Sequence, residues 1–390
     1  MDHASRHDQP SEPRGGEFSP HSVRLAWILA LAYLLVIVHA SLQPFHGWRM
    51  PPEEIRRFLV APWPHYITLQ DIAVNVVAYV PLGFLLSIAA GARFGPGSGV
   101  LASTLAAALV SLSMESAQMF LSTRIASNVD LLANSFGALI GAMAAPLFAP
   151  ARIIGGKLHA ARDRLFMEGM AADVGLVIVC LWLVTQFHPT AQLFGTGGIR
   201  ATFDLPAYVP HTPPLAFAGE AAVALFNLLG IGLLISALMR AASRPMLVTG
   251  MVVGVALAIK LISAVALIKA ASPFAWLTPG VTLGLVAGWI LLLGAQRLPR
   301  PAKLVLAALC IALAMAAMNL APDNPYHSVP PLFVARGSSH YLNFSGIARA
   351  LSELWPLLAA GYVAYALSFR SADAQGDQRR NSSLRNGARL

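Results

Sequence analysis

Charge is what this sequence has least of. Only 12% of its 390 residues are Asp, Glu, Lys or Arg, against about 25% in soluble domains, so no stretch could cover the surface of a sizeable water-soluble fold. Cysteine is nearly missing: Cys180 and Cys310 stand alone inside apolar runs. That excludes a disulfide framework and a cysteine metal knuckle, and it predicts packed thiols. There is no Gly-x-Ser-x-Gly elbow and no cysteine placed near a histidine, so nucleophilic catalysis has no handle. Seven histidines, His39, His46, His65, His188, His211, His327 and His340, fall in segments predicted to lie outside, and none of these seven forms an i,i+4 pair. The reading is therefore no metal site and no other cofactor.

What is abundant is hydrocarbon. The chain is 56% hydrophobic with mean hydropathy +0.63, and apolar runs of about 20 residues, the length that crosses a membrane as a helix, recur throughout. The fold class expected is all-α, a polytopic transmembrane helical bundle of about ten spans, near 25–42, 71–91, 99–121, 128–149, 173–188, 215–239, 246–268, 275–295, 302–320 and 347–369. The first run follows about twenty polar residues without a small-residue cleavage site, so it is expected to be retained. Net charge is +9, but the cations sit in short connections and in both tails, the positive-inside pattern. Ten spans bring Arg93, the 152–164 cluster, Arg240 with Arg244, and Arg297 with Arg300 and Lys303 to the side of the tails. Both termini are thus expected in the cytoplasm, with membrane lipids as partners, no nucleic acid, and an oligomeric state the sequence leaves open.

The domain division that follows is a disordered tail over 1–20, a four-helix membrane domain over 21–150, a basic cytoplasmic loop over 151–172, six further spans over 173–369, and a basic tail over 370–390. Between the first two spans, Trp48, Phe58, Trp63 and Tyr66 interleave with charges, and Pro51-Pro52-Glu53-Glu54 reads as the start of an interfacial helix. Spans 5 to 8 echo spans 1 to 4 weakly: Gly284-x-x-x-Gly288 resembles Gly137-x-x-x-Gly141, and Lys260 and Lys269 have the spacing of Glu115 and Arg124. Either a duplication or chance resemblance between apolar helices accounts for this, and the acidic and amide groups show no counterpart.

Those groups concentrate between Asp71 and Gly141. Asp71, Asn75, Tyr79, Glu115, Gln118, Arg124, Asp130 and Asn134 form the candidate ligand-binding set, because a membrane helix carries such residues only when packing, capping or function offsets their desolvation. Asp71 with Asn75 and Asp130 with Asn134 are i,i+4 pairs and Glu115 with Gln118 is i,i+3, so each pair shares a helix face. The topology puts all three faces at the outer leaflet. Asp71 and Asp130 open helices, where the dipole favours a negative charge, while Glu115 closes one and needs a cation, with Arg124 nearest in sequence. The bland reading is three caps and an ion pair. Pro81 with Gly83 is expected to kink its span and free a carbonyl near the site, and Gly137 with Gly141 to make a close helix contact.

The pattern Asp-x-x-x-Asn-x-x-x-Tyr-x-Pro-x-Gly, then Glu-x-x-Gln-x-Phe, an Arg, and Asp-x-x-x-Asn-x-x-Gly-x-x-x-Gly resembles the VanZ-like family of bacterial membrane proteins, over about residues 25–150. The resemblance implies a multi-pass protein of the bacterial cytoplasmic membrane. The family's name-giving member confers low-level resistance to the glycopeptide teicoplanin, and no settled biochemical activity comes with it. The expectation is a non-enzymatic envelope protein that binds a lipid-linked or amphiphilic ligand, or a glycopeptide, at an outer-leaflet polar pocket. The alternative is a membrane enzyme or transporter acting on a lipid-linked cell-wall precursor.

Overall fold

The computed structural model describes residues 18, 20–42, 47–50, 57–63, 69–149, 152–187, 192–202, 205–206, 208–240, 243–267, 274, 276–322, 348–349 and 351–368. The C-terminal tail, nearly all of the N-terminal one, the helix start expected at Pro51, Tyr66, His46, His65, His188, His327, His340 and Lys269 lie outside these residues, as does the Asp71 side chain.

Among the described residues the protein is helical, and its only β pairing is two isolated bridges. The helices are α1 (Pro20–Leu42), α2 (Arg57–Val60), α3 (Leu69–Phe94), α4 (Pro96–Gln118), α5 (Asn128–Ala144), α6 (Ile153–Leu165), α7 (Met170–Thr185), α8 (Ile199–Thr202), α9 (Pro213–Leu238), α10 (Pro245–Ile262), α11 (Pro279–Ala295) and α12 (Arg300–Leu320); α13 runs over 351–368. Seven of them, α1, α3, α4, α5, α9, α10 and α12, are long and apolar enough to cross a membrane, α5 and α10 counted with the short turns that extend them. The shorter apolar helices α7 and α11 fall on the fifth and eighth expected spans, and α13 falls on the tenth.

The surface confirms the apolar surroundings. On α4, Leu101, Leu105 and Leu109 repeat at i+4 and are 63%, 56% and 63% exposed, while Gly99, Ser103, Ala107, Ser111 and Glu115 repeat on the opposite face and are buried. Large apolar side chains outside with small and polar ones inside is the reverse of a soluble helix. It suits a lipid surround, where helices associate by close packing rather than by escaping water.

The described residues fall into two compact units, one within Met1–Arg162 and one within Asp163–Gly337 and Ser345–Leu390. In the first, α3 is central and packs on α1, α4 and α5. A Cβ on Gly137 or Gly141 would lie 2.0 Å from the carbonyl oxygen of Val76 or Val80, and one on Gly83 2.0 Å from that of Ala138. The two backbones therefore touch, as expected of Gly137 and Gly141, and the pairing order shows α3 and α5 running the same way. Gly83 belongs to this contact and not to a kink. Pro81 stays inside α3; the carbonyl it frees is that of Val77, which is 56% exposed and about 200° around the helix from Asn75 and Tyr79. The freed carbonyl is therefore turned away from the site, contrary to the sequence expectation.

In the second unit, α9 takes the central place, buried over most of its length, and packs on α7, α10, α11 and α12. Gly280 and Gly284 bring α11 onto it: a Cβ there would lie 2.7 and 2.3 Å from the carbonyl oxygens of Phe217 and Ala221. The order of pairs again shows two helices running in one direction. The duplication reading gains from this, because both units are built on a glycine-seated contact between their second and fourth apolar helices.

Two further expectations change. The basic stretch after Arg152 is not an open loop but contains helix α6, since its Ala, Leu, Lys and Arg residues are good helix formers. Between α1 and α3, Phe58 is only 7% exposed, so it packs inward instead of lying in an interface, while Trp48 and Trp63 are 52% and 68% exposed. This segment is pinned where Arg49 donates its backbone N–H to Phe120 O (2.7 Å) and Ser122 to Gly47 O (3.2 Å). Gly47 sits at φ +79° there, a conformation L side chains rarely adopt.

Candidate functional site

Three helices and a loop bring the sequence-derived residues together. Asn75 and Tyr79 face inward from α3, Glu115 and Gln118 from the end of α4, and Asp130 and Asn134 from the start of α5; all six are buried. Arg124 stands in the loop between α4 and α5 and is partly exposed. Asp71 lies in the first turn of α3, and its side chain is outside the described residues.

The bonds cross between elements. Asn75 Nδ2 donates to Asp130 Oδ1 at 2.8 Å, tying α3 to α5. Asn134 Nδ2 donates to Ser111 Oγ at 2.9 Å, tying α5 to α4. Glu115 Oε2 accepts from the backbone N–H of Ser127 at 2.9 Å, and Ser127 caps α5 by accepting from the Asp130 N–H. The last turn of α1 closes the set: Gln118 Nε2 donates to Ser41 O and Arg124 Nη2 to Ala40 O, each at 3.2 Å. Arg124 thus satisfies a carbonyl at a helix C-terminus, where a cation is favoured.

Electrostatically the centre is two neighbouring buried carboxylates, Glu115 and Asp130, with Arg124 beside Glu115. Burial lowers the pKa of the Arg124 guanidinium, and the Glu115 carboxylate opposes that shift. Two polar atoms are left over. The Tyr79 hydroxyl and Asn134 Oδ1 are buried without a hydrogen bond of good geometry, although the hydroxyl lies within reach of the Ser111 side chain and near Glu115 and Tyr33. Buried polar atoms normally find partners, so two such atoms in one cluster call for an occupant.

Sequence reasoning missed Ser111, Ser127 and Tyr33. Ser111 is fully buried, and its signal was its place four residues before Glu115 in the Gly99-Ser103-Ala107-Ser111 stripe. Ser127 was legible as an N-cap, three residues before Asp130. Tyr33, whose hydroxyl donates to Ala78 O at 2.9 Å, carried no signal in an apolar run.

The second unit has a polar pair beside its own glycine contact. Setting Gly284 and Gly288, whose Cβ atoms would approach Ala221 O and Leu225 O, on Gly137 and Gly141 places Ala221 on Val76 and Glu220 on Asn75. Glu220 Oε2 accepts from the Thr278 hydroxyl, and Thr278 caps α11 by accepting from the Val281 N–H. In that register Thr278 falls on Leu131, so the pair does not reproduce the Asn75–Asp130 bond residue for residue.

The fold and this buried polar cluster define a polytopic helical membrane protein. Residues 21–149 match the family model described as VanZ/LLP1, and that segment is VanZ-like; it spans α1 to α5 and holds all eight candidate residues. The chain matches no curated protein and no solved structure. Among the described residues no group of three or more His, Cys, Asp or Glu is placed to hold a metal ion.

Proposed function

We propose that the VanZ-like segment binds the polar head of a lipid-linked or other amphiphilic ligand in the cluster formed by α3, α4 and α5. The observation that carries this reading is the pair of buried atoms without a hydrogen bond of good geometry, Tyr79 Oη and Asn134 Oδ1, beside Glu115 and Asp130. One offers a donor and the other an acceptor, the complement of a hydroxyl or amide on a sugar or peptide head group. Arg124, at the rim, takes an anionic group such as a phosphate. Asp71, Asn75 and Gln118 complete the set.

The positive-inside distribution puts the tails in the cytoplasm and this cluster at the outer leaflet of the bacterial cytoplasmic membrane. Binding a cell-envelope amphiphile there would connect the protein to glycopeptide response of the teicoplanin type. Binding is preferred to transport because α3 and α5 meet backbone to backbone at Gly83, Gly137 and Gly141, which leaves no polar path between them.

Native mass spectrometry of the full chain purified in detergent tests this, with wild type beside Arg124→Gln and Tyr79→Phe. The expected result is a co-purifying lipid on wild type that is depleted in both variants. Equal lipid retention by three equally folded proteins would overturn the reading.

A further inference from the structure

The second unit contains a cavity unrelated to the polar cluster. It has a volume of about 1030 Å³ and opens where α9 and α11 end and where α10 and α12 begin. Arg240, Arg300 and Lys303 line it, and Glu168 is the one carboxylate in its wall. Glu168 is already engaged, accepting from Arg240 Nη2 at 2.6 Å, with the Glu168 side chain largely in solvent and that of Arg240 partly so.

The other two cations are held by neutral oxygens. Arg300 donates through Nε to Ala237 O at 3.0 Å, which caps the C-terminus of α9 and leaves both Nη groups for other acceptors. Lys303 Nζ donates to Ser236 Oγ at 2.8 Å, and that hydroxyl in turn donates to Gln296 Oε1 at 2.9 Å. A structural role requires one cap. It does not require a second cation fixed on a hydroxyl, one helical turn away, at the edge of a cavity this large. The first turn of α12 begins at the same place, where the helix dipole favours an anion.

We propose that this cavity binds the phosphate of an anionic phospholipid head group, with Arg300 and Lys303 as its ligands and Arg240 at the mouth. Met167, Met239 and Pro245 in the wall accommodate the glycerol and the start of the acyl chains. The cavity lies at the helix ends that carry Arg240, Arg244, Arg297, Arg300 and Lys303, the end that the positive-inside pattern assigns to the cytoplasm, so the lipid comes from the inner leaflet. The site belongs to a different unit from the VanZ-like segment and stands whether or not the outer cluster binds a ligand.

The test is titration of the detergent-purified full chain with phosphatidylglycerol, phosphatidylcholine and inorganic phosphate, read by native mass spectrometry and thermal shift. Wild type is expected to take one phosphatidylglycerol in preference to phosphatidylcholine. Each cation removed weakens that binding by about fivefold, in Lys303→Gln and in Arg300→Gln with Lys303→Gln. Arg297→Gln, outside the cavity wall, leaves it unchanged, and Lys303→Arg retains it. If Arg300→Gln unfolds because the α9 cap is lost, Lys303→Gln alone carries the test, since Arg300 still holds Ala237. Equal affinity of Lys303→Gln and wild type overturns the site. Equal stabilisation by inorganic phosphate overturns the lipid as its source.

Discussion

Replacing Tyr79 with Phe separates packing from binding, because the two roles predict opposite signs. The Tyr79 side chain is 4% exposed and its hydroxyl makes no hydrogen bond of good geometry. An unsatisfied buried donor costs about 1–3 kcal/mol, which the substitution returns without opening a cavity, since the ring stays. The unfolded chain in a membrane also leaves polar groups poorly solvated, so about 1 kcal/mol is the expected gain. For a unit of this size that corresponds to a rise in Tm of roughly 2–4 °C. The assay is thermal unfolding of the full chain in one detergent, with wild type and variant delipidated in parallel. Retention of co-purifying lipid should fall in the same variant. A drop in Tm of the delipidated protein would refute the unpaired hydroxyl, and a rise with unchanged lipid retention would refute its role in binding.

Gly137→Ala is expected to cost at least the upper end of the ~1–3 kcal/mol typical of overpacking, because its Cβ would lie 2.0 Å from a backbone oxygen that cannot swing aside. Gly294→Ala, with open space around its Cβ, should leave folded yield unchanged by gel filtration. Ser127→Ala should cost about 1 kcal/mol by removing the α5 cap, read as a lower Tm, whereas Ser127→Asp should restore much of it; equal stability of all three proteins would show the cap to be idle. Thr278→Val removes both the cap of α11 and the donor to Glu220, so it should destabilise the protein more than Ser127→Ala. Glu168→Gln should change stability by less than about 1 kcal/mol, because its pair with Arg240 is exposed.

Much of the site was legible before folding because membrane helices carry few polar residues and i,i+4 spacing fixes their face. Asn75, Glu115, Gln118, Asp130 and Asn134 each stood out against hydrocarbon, and the structure brings all five inside one unit. The partners were harder to read. Arg124 was assigned to Glu115 as the nearest cation and does stand beside it, but its guanidinium also donates to the Ala40 carbonyl at the end of α1, 84 residues earlier, and a Glu115 oxygen accepts from the Ser127 backbone N–H. A backbone carbonyl or amide has no letter in a sequence, so bonds to it appear only when the chain is folded.

The same distinction runs through the whole protein. Composition and the spacing of apolar runs determined by themselves that the chain is helical and membrane-spanning, because about twenty hydrocarbon side chains in a row have no other stable arrangement in lipid. Gly137 and Gly141 announced a close contact through their i,i+4 spacing. Only tertiary structure decided that α3 is their partner, that Gly83 joins it, and that Pro81 frees a carbonyl on the outer face. It also decided that Glu220 of α9 pairs with Thr278 at the start of α11, and that Arg300 and Lys303 meet at a cavity with Arg240, some sixty residues away. Local pattern fixes the face a residue presents; which face it meets depends on how separate helices pack, and no single stretch of sequence encodes that.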